Sequence, residues 1–150
     1  MQQQSVQLGD TAATQDLGRQ LALDWLALPQ PKAILLLEGD LGAGKTSLVQ
    51  GIAQGLGIDE PITSPTFALA QHYQGQAGAL VHLDLYRLEH SASADELFCQ
   101  EEEEAQALGA LMAVEWPSRL SFRPEEAWIL HLELLDPDNP DAGRVARLER

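Results

Sequence analysis

Two features of this chain place reactive side chains at spacings suited to chemistry on a phosphate. The first is Gly39-Asp40-Leu41-Gly42-Ala43-Gly44-Lys45-Thr46, followed by Ser47. It fits the phosphate-binding loop pattern G-x-x-x-x-G-K-[ST]. Its glycines let the backbone wrap an anion with N–H groups pointing inward. Lys45 supplies a point charge for the β- and γ-phosphates, and the Thr46 hydroxyl suits Mg²⁺. The second feature is a pair of acids at the ends of apolar runs. Glu115 follows Leu111-Met-Ala-Val114, and Asp84 lies near the end of Leu80-Val-His-Leu-Asp84. A nucleotide hydrolase with such a loop needs a further carboxylate near its magnesium, normally after a strand that neighbours the loop's own strand. Glu115 is the better match and Asp84 the second.

The loop has the flanks this chemistry requires. Ala33-Ile-Leu-Leu-Leu-Glu38 before it reads as a buried strand. After it, Leu48, Ile52 and Leu56 recur every four residues, as on one face of a helix. That helix points its unpaired N-terminal N–H groups and the positive end of its dipole at the same anion. Gly55-Leu-Gly57 closes it. The polar turn Thr63-Ser64-Pro65-Thr66 follows at the distance of a switch loop, with hydroxyls suited to sensing a γ-phosphate.

The remaining elements follow from periodicity and turn residues. Residues 11–28 read as an amphipathic helix with Leu17, Leu21 and Trp25 on one face. Thr11 or Thr14 is its expected cap, and Pro29 and Pro31 end it. Strands are expected at Phe67–Tyr73, Leu80–Tyr86, Leu111–Val114, Trp128–Leu134 and Arg144–Leu148. Gly75–Gly78 forms a hairpin-like loop and Asp136–Gly143 a turn. Ser91–Glu104 reads as a very acidic helix with Ser93 as its cap, and its glutamate run as a solvated face. Early strand–helix alternation followed by hairpins predicts a single α/β domain. Its sheet is mixed and partly parallel, flanked by helices.

Composition narrows the function. In 150 residues, 9 basic side chains against 23 acidic ones give a net charge of −14. Nucleic-acid affinity comes mainly from Lys and Arg on phosphates, so autonomous tRNA or DNA binding is not expected. Lys32 and Lys45 are the only lysines. Cys99, the one cysteine, suits a reducing cytoplasm, and its acidic neighbours Glu96, Glu101 and Glu102 argue against a reactive thiolate. Met1–Val6 shows neither a positive stretch nor an apolar one, so no secretory leader is expected, and no run of ~20 apolar residues suggests a membrane span. His72, His82, His90 and His131 lack metal-ligand spacing, and His82 reads as a packed strand residue.

Four motifs occur in one order: the glycine-rich loop, Thr63-Ser-Pro-Thr-Phe67, His82-Leu-Asp-Leu-Tyr-Arg87 and Glu115-Trp-Pro117. Together they closely resemble the bacterial TsaE (YjeE) family over nearly the whole chain. Ala13-Thr-Gln-Asp-Leu-Gly18 and Gly143-Arg144 are similar too. The resemblance implies a cytoplasmic ATPase serving formation of threonylcarbamoyladenosine at position 37 of tRNAs that read codons beginning with A. It implies ATP and Mg²⁺ as ligands and TsaB and TsaD as partners, with TsaD transferring to tRNA the group that TsaC activates. Lys45 and Thr46 match the family's nucleotide and magnesium residues. Glu115 matches its hydrolytic acid, Asp84 a functional acid, and Trp116 an aromatic in a mobile loop. Thr11 and Arg144 fall where nucleotide contacts are implied. Ser118 departs from the family's Glu or Gln, and 100–104 is more acidic than its usual helix, so the partner-facing surface is where divergence is expected.

Two other classes use the same loop. A small-molecule kinase clamps two sets of phosphates with several arginines, yet Arg87 is the only Lys or Arg between Lys45 and Glu115. A non-catalytic nucleotide switch does not need the complete set of Lys45, Thr46 and Glu115.

Overall fold

A computed structural model describes residues 3–28, 34–40, 42–63 and 69–150. The chain runs β1 (Gln3–Leu8), α1 (Thr11–Leu26), β2 (Ile34–Glu38), α2 (Lys45–Leu56), β3 (Ala70–Gln74) and β4 (Ala79–Asp84). It continues with α3 (Ser91–Leu108), β5 (Leu111–Glu115), β6 (Trp128–Leu134) and β7 (Arg144–Glu149). Seven strands form one sheet in the order β1-β7-β6-β2-β5-β4-β3. Its centre, β6-β2-β5-β4, is parallel. β3 pairs antiparallel with β4 at one edge, as β7 and β1 do at the other. The mixed, partly parallel α/β sheet expected from the sequence is therefore present.

Strand alternation divides the core. Leu35, Leu37, Leu80, Leu111, Ala113 and Leu130 face α1 and α2. Leu36, Val81, Leu83, Met112 and Val114 face α3 through Ala94, Phe98 and Ala105. Burial of Leu21, Leu48, Ile52 and Leu56 under the first layer contributes roughly 1.5–3 kcal/mol each. The α1/α2 pair packs closely because small residues stand at the crossing. A Cβ on Gly51 would lie 2.0 Å from the Gln15 carbonyl oxygen, so even alanine there pushes the helices apart.

Several boundaries differ from expectation. α1 is capped by Asp10, whose Oδ1 accepts from the Ala13 N–H at 2.8 Å. Asp10 is the extended residue just before the helix, the position a capping side chain needs, while Thr11 and Thr14 already lie inside it. Likewise Ser93 sits within the first turn of α3, which begins at Ser91 and runs on to Leu108. Gly109 ends it with a left-handed φ of 62°. β4 stops at Asp84 rather than Tyr86. β1 carries too little periodicity to be read from sequence. The expected elements at Pro29, Pro31 and residues 64–68 lie outside the described residues. Among the described residues, no helix is long and apolar enough to cross a membrane.

Candidate functional site

Parallel pairing brings the two sequence-predicted acids together. β2 is flanked by β5 and β6, and Leu37 of β2 pairs with Glu115 of β5. One strand further, Asp84 of β4 pairs with Glu115. All three positions lie at the C-terminal ends of parallel strands, where open α/β sheets place their ligands. Glu115, Ala113 and Leu111 alternate onto the α2 side, as do Leu80, His82 and Asp84. Both acids therefore stand on the face from which α2 departs.

The loop between β2 and α2 has an anion-cradle backbone. Gly42 and Gly44 adopt left-handed φ of 84° and 102°. Among the described residues no side chain caps α2 at Gly44, so the N–H groups of its first turn suit another acceptor. Around Gly42, a Cβ would meet nothing within 4 Å. Arg144 holds the loop from outside, its Nε donating to the Ala43 carbonyl at 2.9 Å and its Nη2 to the Gly42 carbonyl at 3.2 Å. Both carbonyls are thus turned toward β7. Arg144 was expected as a nucleotide contact, and the structure places it on the loop itself.

Lys45, only 6% exposed, begins α2. Its Nζ donates to the Gly39 carbonyl at 2.6 Å and lies 4.1 Å from the centre of the Trp116 ring. Burial lowers its pKa, while the charges of Glu115, Asp84 and Asp40 oppose that shift. Trp116 has a left-handed φ of 58°, a conformation costing a non-glycine residue roughly 1–2 kcal/mol. Beyond it Tyr86 packs at 4.8 Å, and the Arg119 guanidinium lies 5.7 Å from the Tyr86 ring. Lysine, tryptophan, tyrosine and arginine thus form one chain of cation–π and ring contacts.

Asp84 is half-buried, and its Oδ1 accepts from the Tyr86 N–H at 3.0 Å. Burial raises its pKa. The Tyr86 hydrogen bond opposes that shift, Glu115 adds to it, and His82 and Lys45 counter it. Glu115 is 4% exposed, and its Oε2 lies in hydrogen-bond contact, at 2.6 Å, with Nε2 of His82, which is fully buried. His82 Nδ1 has no hydrogen-bond partner among the described residues. Leaving such a buried atom unpaired costs roughly 1–3 kcal/mol.

The other expected site residues fall around this centre. Thr46 and Ser47 are half-buried in the first turn of α2, while Asp40 is exposed and its carbonyl accepts from the Ala43 N–H at 3.1 Å. Thr11 is exposed at the start of α1. Three residues on, Thr14 is buried, with its methyl 3.7 Å from where a Gly44 Cβ would stand. The start of α1 is therefore brought beside the loop through a residue expected only as a cap. Leu41 and Thr66 lie outside the described residues. Beside Gly39 and Asp40, a cleft of about 430 Å³ reaches His131. His131 is bonded to Glu38 at 2.9 Å and to Glu149 at 3.1 Å.

The architecture is a parallel-centred α/β sheet with a glycine-rich loop after its middle strand and two acids at the ends of the next two strands. The comparisons narrow it. The family described as threonylcarbamoyl adenosine biosynthesis protein TsaE matches residues 8–142. The chain belongs to the TsaE family, which serves tRNA threonylcarbamoyladenosine biosynthesis. A Synechocystis relative, named tRNA threonylcarbamoyladenosine biosynthesis protein TsaE, is 46% identical over 121 residues, covering 79% of this chain and 73% of that one. A Treponema pallidum relative of the same name is 39% identical over 108 residues, covering 71% and 77%. The crystal structure of Bacillus subtilis YdiB superposes with a TM-score of 0.68 at 27% identity, over 98% of this chain and 84% of that one.

Proposed function

We propose that this chain binds ATP with Mg²⁺ and hydrolyses it, as the ATPase of threonylcarbamoyladenosine formation on tRNA, in company with TsaB and TsaD. The observation that carries this reading is the convergence of Lys45, at the start of α2, with Glu115 and Asp84, paired across adjacent strand ends. The residues fit the ligands. The open loop backbone and the uncapped first turn of α2 suit a phosphate chain. The hydroxyl of Thr46 and the carboxylates of Asp84 and Glu115 are hard oxygen donors of the kind magnesium prefers.

Each group then has a role. Lys45 leaves the Gly39 carbonyl and compensates the β/γ-phosphate charge. The N–H groups of the loop and of the first turn of α2 hold the phosphate oxygens in place. Bound magnesium neutralises charge that develops on the phosphates. Glu115 orients the attacking water, whose oxygen bonds to the γ-phosphorus as the bond to the β–γ bridging oxygen breaks. The products are ADP and inorganic phosphate, and the proton from water leaves with phosphate or solvent. Trp116 stands over Lys45, so it moves when the ammonium turns toward phosphate. RNA contact belongs to the partners, because a net charge of −14 disfavours a polyanion.

Single-turnover ATP hydrolysis, measured for the isolated chain and again with TsaB and TsaD, tests the proposal. Slow turnover alone and a marked rise with both partners are expected, since completion of such sites in trans is worth orders of magnitude. Absence of ATP binding, or turnover that partners leave unchanged, counts against it.

A further inference from the structure

His82 is a buried polar group that this chemistry leaves without a task. Its neighbours along β4, Val81 and Leu83, point into the apolar layer under α3. Alternation sends His82 to the other face, the face of Asp84 and Glu115. There Nε2 meets Glu115 Oε2 at 2.6 Å and Nδ1 meets no partner among the described residues. A residue present only to fill this space is better supplied by leucine or methionine, which bring no unpaired nitrogen. Glu115 also stands across the strand pair from Asp84. Like charges placed opposite one another repel, so Glu115 needs an anchor to keep one orientation.

We propose that His82 is a positioning residue for Glu115. Its Nε2–H holds Oε2, which sets the rotation of the carboxylate and leaves Oε1 for the metal or the attacking water. The bond on Nε2 is the one that aims the ring, since Nδ1 has no partner among the described residues. The inference rests on the reading of Glu115 as the hydrolytic acid.

Three substitutions separate positioning from packing. His82→Gln puts an amide N–H close to the place of Nε2, His82→Asn puts one nearer Nδ1, and His82→Leu fills the volume with no donor. Outer-shell partners of ligating carboxylates are typically worth ~10–100-fold. With TsaB and TsaD present and Mg·ATP saturating, single-turnover hydrolysis should fall at least ~10-fold in His82→Asn and His82→Leu. His82→Gln should stay within about threefold of wild type, with ATP affinity similar in all three. A second readout needs no turnover. The Mg²⁺ concentration for half-maximal binding of a fluorescent ATP analogue should rise about threefold or more in the Asn and Leu variants, and not in the Gln variant.

A packing role gives the opposite order, with His82→Leu nearest wild type and activity following thermal stability. That order overturns the proposal. Glu115→Gln is the control. If it loses hydrolysis while His82→Leu and His82→Asn keep theirs, the positioning role is wrong and the reading of Glu115 stands. If Glu115→Gln hydrolyses ATP like wild type, the reading of Glu115 fails and the role of His82 fails with it.

Discussion

The two faces of the sheet handle polarity differently. Among the described residues, the buried polar or charged side chains are Thr14, Lys45, His82 and Glu115. Lys45, His82 and Glu115 meet one another, Trp116 or the loop carbonyl of Gly39 on the α1/α2 face, while the Thr14 hydroxyl donates to the Asp10 carbonyl at 3.3 Å. The cluster beneath α3 is apolar, yet α3 carries the most concentrated charge in the chain, Glu101 to Glu104, of which Glu103 and Glu104 are exposed and Glu101 is bonded to His72. Charge on α3 keeps its water and costs little. Charge on the other face has lost much of its water, and a fold carries that cost where a ligand later uses the charge. Burial of charge, not its density, therefore separates the face proposed to hold nucleotide from the solvated one.

The comparison breaks most sharply at Glu115. Glu115→Gln removes the charge and keeps an oxygen that accepts from His82. Hydrolysis should fall by ~100-fold or more, about 2.7 kcal/mol, with ATP affinity changed only a few-fold. Rapid-quench hydrolysis and equilibrium ATP binding, measured on the same variant, check this. If Asp84→Asn abolishes turnover and Glu115→Gln does not, the two acids exchange roles. Next comes Lys45→Ala, which removes the cation that the proposed function sets against the β/γ-phosphates. ATP affinity or turnover should fall more than ~10-fold, over about 1.4 kcal/mol. Wild-type affinity and turnover in this variant would remove the loop from the phosphate site.

A smaller effect concerns stability. Burial places the pKa of Asp84 above its ordinary value. Between that ordinary value and the raised one, the folded chain keeps a proton that the unfolded chain has released. Stability therefore falls as pH rises through this window, and the deficit persists above it. Asp84→Asn keeps an acceptor for the Tyr86 N–H and removes the ionisation. Without nucleotide or Mg²⁺ it should melt higher than wild type near neutral pH. The gain should shrink as pH drops to the ordinary carboxylate value, about 4. Calorimetry across that range tests the sign. A variant less stable at neutral pH would mean that the Asp84 charge supports the apo fold.

How much of this was legible in the sequence depended on sequence distance. Gly39–Thr46, β2 and α2 were readable because loop, strand and helix adjoin and each has a local signal. The acids Glu115 and Asp84 were readable as strand ends, but their pairing across β4 and β5 was not, since no short-range pattern sets a parallel register. For the same reason His82 read as packing, because its partner lies 33 residues away. Arg144 bonds the loop across 101 and 102 residues, a separation that hides its part in shaping it. β1 was missed because Leu8 is its only buried side chain among those described, and Val6 is 45% exposed. Its place comes from pairing with β7. The Asp10 cap was within reach, and Thr11 and Thr14 after it drew the assignment into the helix.

The smallest effect is expected on α3, and it tests the solvated half of the comparison. Glu103 and Glu104 are exposed near the C-terminal end of a helix with no basic residue in its last turn. Acids there oppose the helix dipole, so the double change Glu103→Gln with Glu104→Gln should stabilise slightly, by about 0.3–0.5 kcal/mol. In a chain of this size that is a rise in melting temperature of ~1–2 °C. ATP turnover of the isolated chain should not change, because neither carboxylate lies among the charges that act on Lys45 or Asp84. Glu101 is left in place because its Oε2 meets His72 Nε2 at 2.6 Å. The same variant is then assayed with TsaB and TsaD. Unchanged stimulation leaves the run as a solvated surface. Lost stimulation with intact basal turnover makes it a docking surface, and exposed charge on α3 then also has a use, through a partner rather than a nucleotide.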